Sequence, residues 1–437
     1  MQLLDAGKAL SREKRTGIVS HYHGTLASLL EESEKFLSKN PAEDRGEGIP
    51  QRVRTFSQST PGEIIYALRA VRGIRNSAVV IYGAPGCSAA GLWFNSDGGN
   101  PWYSANLNES DTILGGEKKL RTAIRRAYNG NHPEIIFVIG TPINGINNDD
   151  VDSVLLEMEE EIPCKMLYLE VNGFRTKNAL SGYDVVFHSL LKHLVEPAEN
   201  PGSPFVNLLS VSGSPGNVLA AAELLKQLEI PCNILPQFSS LRGIRAASRA
   251  RYSVSLNDGE NDYFLTGLEE RFGVPQIRTH PPIGTAGTSA FIRKIAGLFD
   301  RGGEAEALIK SEKQLSDGLI ARKPLAGSRV FLNVDLNEAA GFSSLAGELG
   351  GEISGMAIPC LDSQNAGALK ELDSLPGTIP LIIAQGQQFE IANVLTKNPV
   401  DYFAGSSACA AAAAVSGAKP IVLDGLAYYG YAGIREL

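Results

Sequence analysis

Ten short apolar runs recur along the chain, each set off by helix-forming residues, and this alternation constrains the fold more than any other feature. The runs are SAVVIYG (77–83), EIIFVIG (134–140), CKMLYLEV (164–171), FVNLLSV (205–211), CNILPQ (232–237), RYSVSL (251–256), RVFLNV (329–334), ISGMAIP (353–359), IPLIIA (379–384) and KPIVLD (419–424). Most are apolar at successive positions rather than at every second one, as expected of strands covered on both faces. Stretches such as VDSVLLEMEEEI, NVLAAAELLKQLE and NDYFLTGLEERFG lie between them with helical apolar spacing. Strands that alternate with helices build parallel sheets through right-handed crossovers. In such sheets, ligands bind outside the C-terminal ends of the strands.

The predicted class is therefore α/β, with three Rossmann-like domains of parallel sheet flanked by helices and an N-terminal helical arm. A chain of 437 residues has room for about three domains. The expected boundaries are an arm over 1–55, domains over 56–200 and 201–324 (the latter with a connecting helix), and a last domain over 325–437. The first break is Pro-rich (EPAENPGSP, 196–204), and the second is charged and helical. In the arm, Leu26 to Leu37 has helical spacing, and Pro41 to Pro50 reads as a linker.

Composition removes several functional classes. Net charge is −8, which argues against nucleic acid, because phosphate recognition needs clustered Lys and Arg. The basic stripes RAVRGIR and RTAIRRAY are most simply wet helix faces. No run of ~20 apolar residues suggests a membrane span, and the charged start MQLLDAGKALSREKR lacks the apolar core of a signal peptide. A cytoplasmic location is expected. The five cysteines (Cys87, Cys164, Cys232, Cys360, Cys409) are far apart and form no CxxC pair. A disulfide framework and a self-contained zinc or ferredoxin site are both disfavoured. The six histidines include His21 and His23 in the leader, and no HExxH occurs.

Two turns stand at strand ends. Gly213–Ser214–Pro215–Gly216–Asn217 opens a helix whose N–H groups suit an anion, but it matches neither GxGxxG nor the Walker motif, so a purely structural turn is the simpler reading. Tyr82–Gly83–Ala84–Pro85–Gly86–Cys87–Ser88 places a thiol at a sheet mouth among small residues. A thiolate there suits metal ligation or nucleophilic chemistry; the alternative is a half-buried free cysteine.

Three ordered motifs bear on that choice: YGAPGC (82–87), ESDTILGGEKKL (109–120) and GTPINGINNDDV (140–151). Together they resemble the nitrogenase component-1 superfamily, which includes both subunits of dinitrogenase, its cofactor-assembly scaffold, protochlorophyllide and chlorophyllide reductases, a nickel-tetrapyrrole reductase and methylthio-alkane reductase. More weakly, GSSACAAAAAVSGAKPIVLDGLAYYGYAGIREL (405–437) resembles the family's last strand and terminal GYxG segment. The resemblance implies three Rossmann-like domains and a [4Fe–4S] cluster shared at a subunit interface, held by up to three cysteines from each subunit. Cys87, next to Gly86, matches the middle cysteine. The first falls in Phe56–Ser57–Gln58–Ser59–Thr60–Pro61, with Ser59 in its neighbourhood, and the third at Thr141. Hydroxyls are poor substitutes for thiolates on such clusters. Asn257 and Tyr429 fall near the positions of the two ligands of the molybdenum–iron cofactor, and neither is a soft ligand. No such cofactor is expected.

The leading expectation is a subunit of a nitrogenase-like two-component reductase. Its implied partners are a homologous component-1-type subunit, an ATP-dependent iron protein and a small-molecule substrate. A substrate cavity is expected near Ser212–Asn217, Asn257–Glu260 and Pro281–Thr288. Two alternatives stay open: a non-catalytic partner or scaffold that has lost the cluster, and a metal-free Rossmann-type binding protein. Catalytic residues are not assigned. For the other residues the structural readings are simplest: Cys164 and Cys232 as core, Cys360 and Cys409 as inert thiols, Asp149 and Asp150 as helix caps, and Glu117–Lys119 as an exposed helix start. Tyr428, Tyr429 and Tyr431 are expected to pack at a subunit interface or to shape a cavity.

Overall fold

All ten apolar runs form strands, and they are distributed over three sheets. The computed structural model describes residues 3–5, 7–19, 21–38, 62–94, 99–171, 173–174, 178–200, 202–211, 214–384 and 387–437. The first sheet has four parallel strands in the order Trp102–Ser104, Ser77–Tyr82, Ile135–Gly140, Lys165–Leu169. Its two central strands are buried at every position, which accounts for their unbroken Val/Ile runs. The second sheet has the order Gln276–Arg278, Ala250–Ser255, Ser203–Ser210, Cys232–Pro236, again all parallel.

The third sheet is mixed. Lys419–Val422, Tyr402–Gly405, Arg329–Asn333, Glu352–Ile358 and Pro380–Ala384 run parallel. A sixth strand, His21–Thr25, pairs antiparallel along Pro380–Ala384. Part of the stretch expected as a separate arm is therefore built into the third sheet as an edge strand, and the helix Leu26–Ser38 follows it. A second N-terminal strand, Ile18–Val19, pairs with Leu361–Asp362. The expected linker 41–50 and the segment 56–61 lie outside the described residues.

Two cores stitch the sheets together. Helices Glu63–Val71, Ser181–His193 and Asp258–Phe272 pack between the first and second sheets. There Tyr183, Phe187 and Phe264 stack, with ring centroids 6.2 and 5.2 Å apart, and such stacks add to the burial of large apolar surface. A second core joins the second and third sheets through helices Gly284–Gly297 and Leu336–Glu348. Among the described residues no helix is long and apolar enough to cross a membrane.

Candidate functional site

The three sequence motifs converge at the C-terminal edge of the first sheet. Strands 77–82 and 135–140 pair with Tyr82 opposite Gly140, so the turns that follow them lie side by side. The contact is tight: a Cβ on Gly83 would stand 2.5 Å from Thr141 Cγ2. Only glycine fits there. Tyr82 is the hub of the site. Its carbonyl oxygen accepts the Thr141 hydroxyl (3.0 Å), and its own hydroxyl donates to Asp149 (3.0 Å). Burial, and then the Asp149 charge, push the Tyr82 phenol well above its ordinary range, so it stays a donor. Gly116 lies over the ring; a Cβ there would meet the Tyr82 hydroxyl at 2.6 Å, which explains the second glycine of GGEKKL.

The acidic segment folds back over this edge. Leu107 N–H donates to Gly83 O (3.0 Å). The short helix Glu109–Leu114 starts with a capping box between Asn108 and Asp111, and Lys119 ties it down through Asp111 (2.6 Å) and Asn106 O (2.9 Å). Asp150 caps the helix Val151–Glu161, accepting from Ser153 N–H (3.1 Å); Asp149 serves Tyr82 instead.

Cys87 sits in the first turn of the helix Pro85–Phe94 and is half-buried. A cleft of about 410 Å³ opens along the same helix, lined by Pro85, Ser88, Ala89, Trp102, Tyr103, Ser104, Asn106 and Arg126 but not by Cys87. Flanking the site, Ile113 (81% exposed), Leu114 (85%) and Ile146 (71%) stand out from the short helices Glu109–Leu114 and Pro142–Asn147, which lie against each other. Three large apolar side chains this exposed on adjoining helices form a patch rather than scattered surface residues.

The other thiols are held protonated. Burial pushes Cys164 up to about 12, and burial also raises Cys232, Cys360 and Cys409. Among the described residues no group of three or more His, Cys, Asp or Glu side chains is placed to hold a metal ion. Thr141 is fully buried, with its hydroxyl engaged by Tyr82 and close to Asn144 Oδ1 (3.1 Å). It has no free side toward a cluster. These residues fit one ligand of a shared cluster, and not a whole one.

A second polar centre lies where the second and third sheets meet. Glu338 Oε1 accepts both the Tyr428 hydroxyl (2.8 Å) and the Tyr429 hydroxyl (3.1 Å). The backbone N–H groups of these tyrosines donate to Asn217 Oδ1 (2.8 and 3.3 Å). Asn257 donates to Asp335 (3.4 Å) and accepts from Asn337 (3.0 Å). Gly430 N–H reaches Pro282 O (2.7 Å), and Ile283 bridges to Tyr429. Burial, then the nearby Asp335 charge, push Glu338 up to about 7, and burial also raises Asp335.

A family model described as nitrogenase component 1 type oxidoreductase matches residues 63–437. The chain belongs to this family. It is 27% identical over 257 residues to the nitrogenase molybdenum-iron protein alpha chain of Methanosarcina barkeri, covering 56% of this chain and 47% of that one. It is 26% identical over 321 residues to the nitrogenase iron-molybdenum cofactor biosynthesis protein NifE of Methanococcus maripaludis, covering 68% and 66%. The matched stretches thus span from about half to just under two thirds of these relatives. Among solved structures, nitrogenase Cp1 at pH 6.5 superposes with a TM-score of 0.76 at 16% identity, covering 89% of this chain and 93% of that one. The shared fold is that of the nitrogenase molybdenum–iron protein.

Within this family fold, the residues singled out from sequence fall into two groups. Cys87, Gly86 and Thr141 gather at the first sheet's edge. Asn257 and Tyr429 face the second centre, where the helix Leu336–Glu348 links them through Asn337 and Glu338. Ser59 and Ser212 lie outside the described residues. Of the expected cavity segments, Asn217 and Pro282–Ile283 bond to residues 428–430, and Asn257 bonds to Asp335 and Asn337, so these groups are spent within the chain. Sequence reasoning missed Asp335, Asn337 and Glu338. Their signal was present: NVDLNE puts two carboxylates just past a strand end, where parallel sheets place polar sites.

Proposed function

We propose that the chain is one subunit of a nitrogenase-like two-component reductase, with Cys87 giving one thiolate to a [4Fe–4S] cluster shared with a related partner subunit. The supporting observation is the convergence of all three motifs on Tyr82, at the sheet edge whose following turn carries the half-buried Cys87, with the exposed side chains Ile113, Leu114 and Ile146 on helices of the same edge. A cluster bound there would supply one-electron transfer. This chain's part is to fix the thiol through the Tyr82–Thr141–Asp149 hydrogen bonds and to offer an apolar rim that a partner subunit covers. The partner supplies most of the ligands, since thiolate is the ligand such clusters require. An ATP-dependent iron protein delivers the electrons, in the cytoplasm, to a small molecule held between the sheets. Neither Asn257 nor Tyr429 supplies a soft ligand, so this reading includes no molybdenum–iron cofactor. The three sheets, with boundaries near 200 and 324, act as domains around that site.

The hydrogen-bonded closure of the second centre favours a second reading, a non-catalytic scaffold subunit. Tyr428 and Tyr429 fill the junction and bind Glu338, so the segments expected to frame a substrate cavity are tied to residues 428–430 and 335–337 instead.

The test is iron and acid-labile sulfide content, with EPR after dithionite reduction. The protein is purified without oxygen, alone and co-expressed with its neighbouring gene product. About four irons per dimer, lost in Cys87→Ala, is the expected result. Iron that persists in Cys87→Ala would move the cluster elsewhere. Absence of iron from both preparations would sink the cluster-bearing reading and leave the scaffold.

A further inference from the structure

Beyond the thiol site, a buried ionic assembly joins the three sheets through residues ahead of the family-matched stretch. Asp184 lies in the helix Ser181–His193, against the first sheet; Asp262 lies in the helix Asp258–Phe272, against the second; Asp362 ends the short strand Leu361–Asp362 that follows the third-sheet strand Glu352–Ile358. All three side chains are buried. We propose that Asp184, Asp262 and Asp362 form a guanidinium-binding lock at the junction of the three sheets, and that its occupant is the N-terminal segment of this same chain, through Arg12 and Arg15.

The geometry calls for a guanidinium. Arg12 is fully buried: one nitrogen lies 3.3 Å from Asp184 and 3.1 Å from Asp262, and another lies 3.7 Å from Asp362 and donates to Gly259 O. Arg15 adds a 3.0 Å contact to Asp184 and a close one to Asp262. A planar fork of donors reaches three separate carboxylates at once, which a lysine ammonium cannot do. The charge count requires the segment as well. Three buried carboxylates meet two guanidinium groups, so withdrawing the segment leaves three like charges together out of water.

The rest of the segment is built to hold the two arginines there. Leu3 N–H donates to Glu270 (2.8 Å), Lys8 pairs with Glu170 (2.5 Å), and Gly7 O accepts from Lys192 (3.2 Å). Beyond the arginines, Ile18–Val19 and His21–Thr25 pair with strands at the third sheet. The segment thus touches parts associated with each sheet within 25 residues. The family model matches residues 63–437, so the three aspartates lie in the matched body and only their occupant, the segment with Arg12 and Arg15, precedes it.

The test uses Arg12→Ala in the full chain, followed by thermal unfolding and hydrogen exchange with and without about 20 mM guanidinium chloride, against equal sodium chloride. That concentration is far below the molar range in which guanidinium denatures. The lock predicts a lowered Tm and faster exchange in 181–185, 259–263 and 361–365 together. Guanidinium should restore several degrees and slow all three segments, while leaving wild type unchanged. A variant as stable and as protected as wild type would overturn the proposal. So would a loss that guanidinium does not reverse, or faster exchange confined to residues 3–25. Should Arg12→Ala fail to fold, Arg12→Met with Asp362→Asn decides the matter. Recovery of soluble folded protein on removing one carboxylate supports the lock, and no recovery refutes it.

Discussion

Replacing Glu338 by glutamine removes a buried group whose ionisation the fold opposes. In the folded chain, burial and the neighbouring Asp335 charge hold its pKa at about 7, against an ordinary 4.5; the two tyrosine hydroxyls only partly offset them. Between those two pH values the unfolded chain has released the proton while the folded chain keeps it. The folded state then binds more protons, so stability falls as pH rises through the window. The stabilising contribution is complete below about 4.5 and lost above about 7. At ~1.4 kcal/mol per pH unit this amounts to roughly 3 kcal/mol. A glutamine keeps an oxygen for the Tyr428 and Tyr429 hydroxyls and has no proton to lose. Wild type and Glu338→Gln should therefore diverge as pH rises from 5 to 8, with the variant gaining about 1–3 kcal/mol relative to wild type. Thermal unfolding of both proteins across that range reads the difference as a few degrees of Tm. The comparison cancels His188, which burial lowers to about 4 and which has the opposite slope, losing stability as pH falls below its ordinary 6.5. Parallel Tm curves for the two proteins would refute the reasoning.

Thr141→Val keeps the shape but leaves the buried Tyr82 carbonyl without the hydroxyl; a loss of about 1–3 kcal/mol is expected, with iron content per co-purified dimer unchanged, because Thr141 braces the site rather than ligating. A fall in iron without a fall in Tm would reverse that assignment. Gly83→Ala forces its Cβ to 2.5 Å from Thr141 Cγ2, so the two turns must part and Tm should drop by several degrees; an unchanged Tm would show that the turns give freely. Ile113→Ser with Leu114→Ser, both well exposed, should leave Tm within about a degree and weaken association with the co-expressed partner at least tenfold by sedimentation or titration. Full-strength association would remove the patch from the interface.

How legible each part was in the sequence depended on how local its cause is. The central strands were the most legible, because a parallel strand covered on both faces must be apolar throughout, as Ser77–Tyr82 and Ile135–Gly140 nearly are. The short edge strands Trp102–Ser104 and Gln276–Arg278 were not, since both are half-buried and three residues long. Tyr402–Gly405 hides in a mixed stretch for the same reason of length. His21–Thr25 was read as an exposed leader because HYHGT is polar; an edge strand carries polar residues without cost, and its pairing is set 355 or more residues away. The thiol site was legible in its parts, since YGAPGC, GGEKKL and the turn after 140 are contiguous motifs. Its hub was not: Tyr82 is hydrogen-bonded to Asp149, 67 positions on, and nothing local marks that pairing. The same holds for Arg12, whose partners lie 172 and 250 positions away. A charged residue in REKR looks like solvent-facing chain until tertiary structure brings three aspartates to it.

At the three described positions where the family resemblance expects soft metal ligands and this chain has none, Thr141, Asn257 and Tyr429 supply strong hydrogen-bonding groups that the chain uses for itself. Thr141 donates to Tyr82 O, which a thiol would do weakly. Asn257 fills both sides of its amide with Asp335 and Asn337. Tyr429 commits its hydroxyl to Glu338 and its backbone N–H to Asn217. A lost ligand alone leaves a gap or an unpaired polar group, and both cost stability. Here Thr141, Asn257 and Tyr429 are all paired, and the second centre closes around the last two. The proposed metal chemistry then rests, among the described residues, on Cys87 alone, and the case for a catalytic rather than a scaffolding subunit turns on what a partner would place opposite that one thiol.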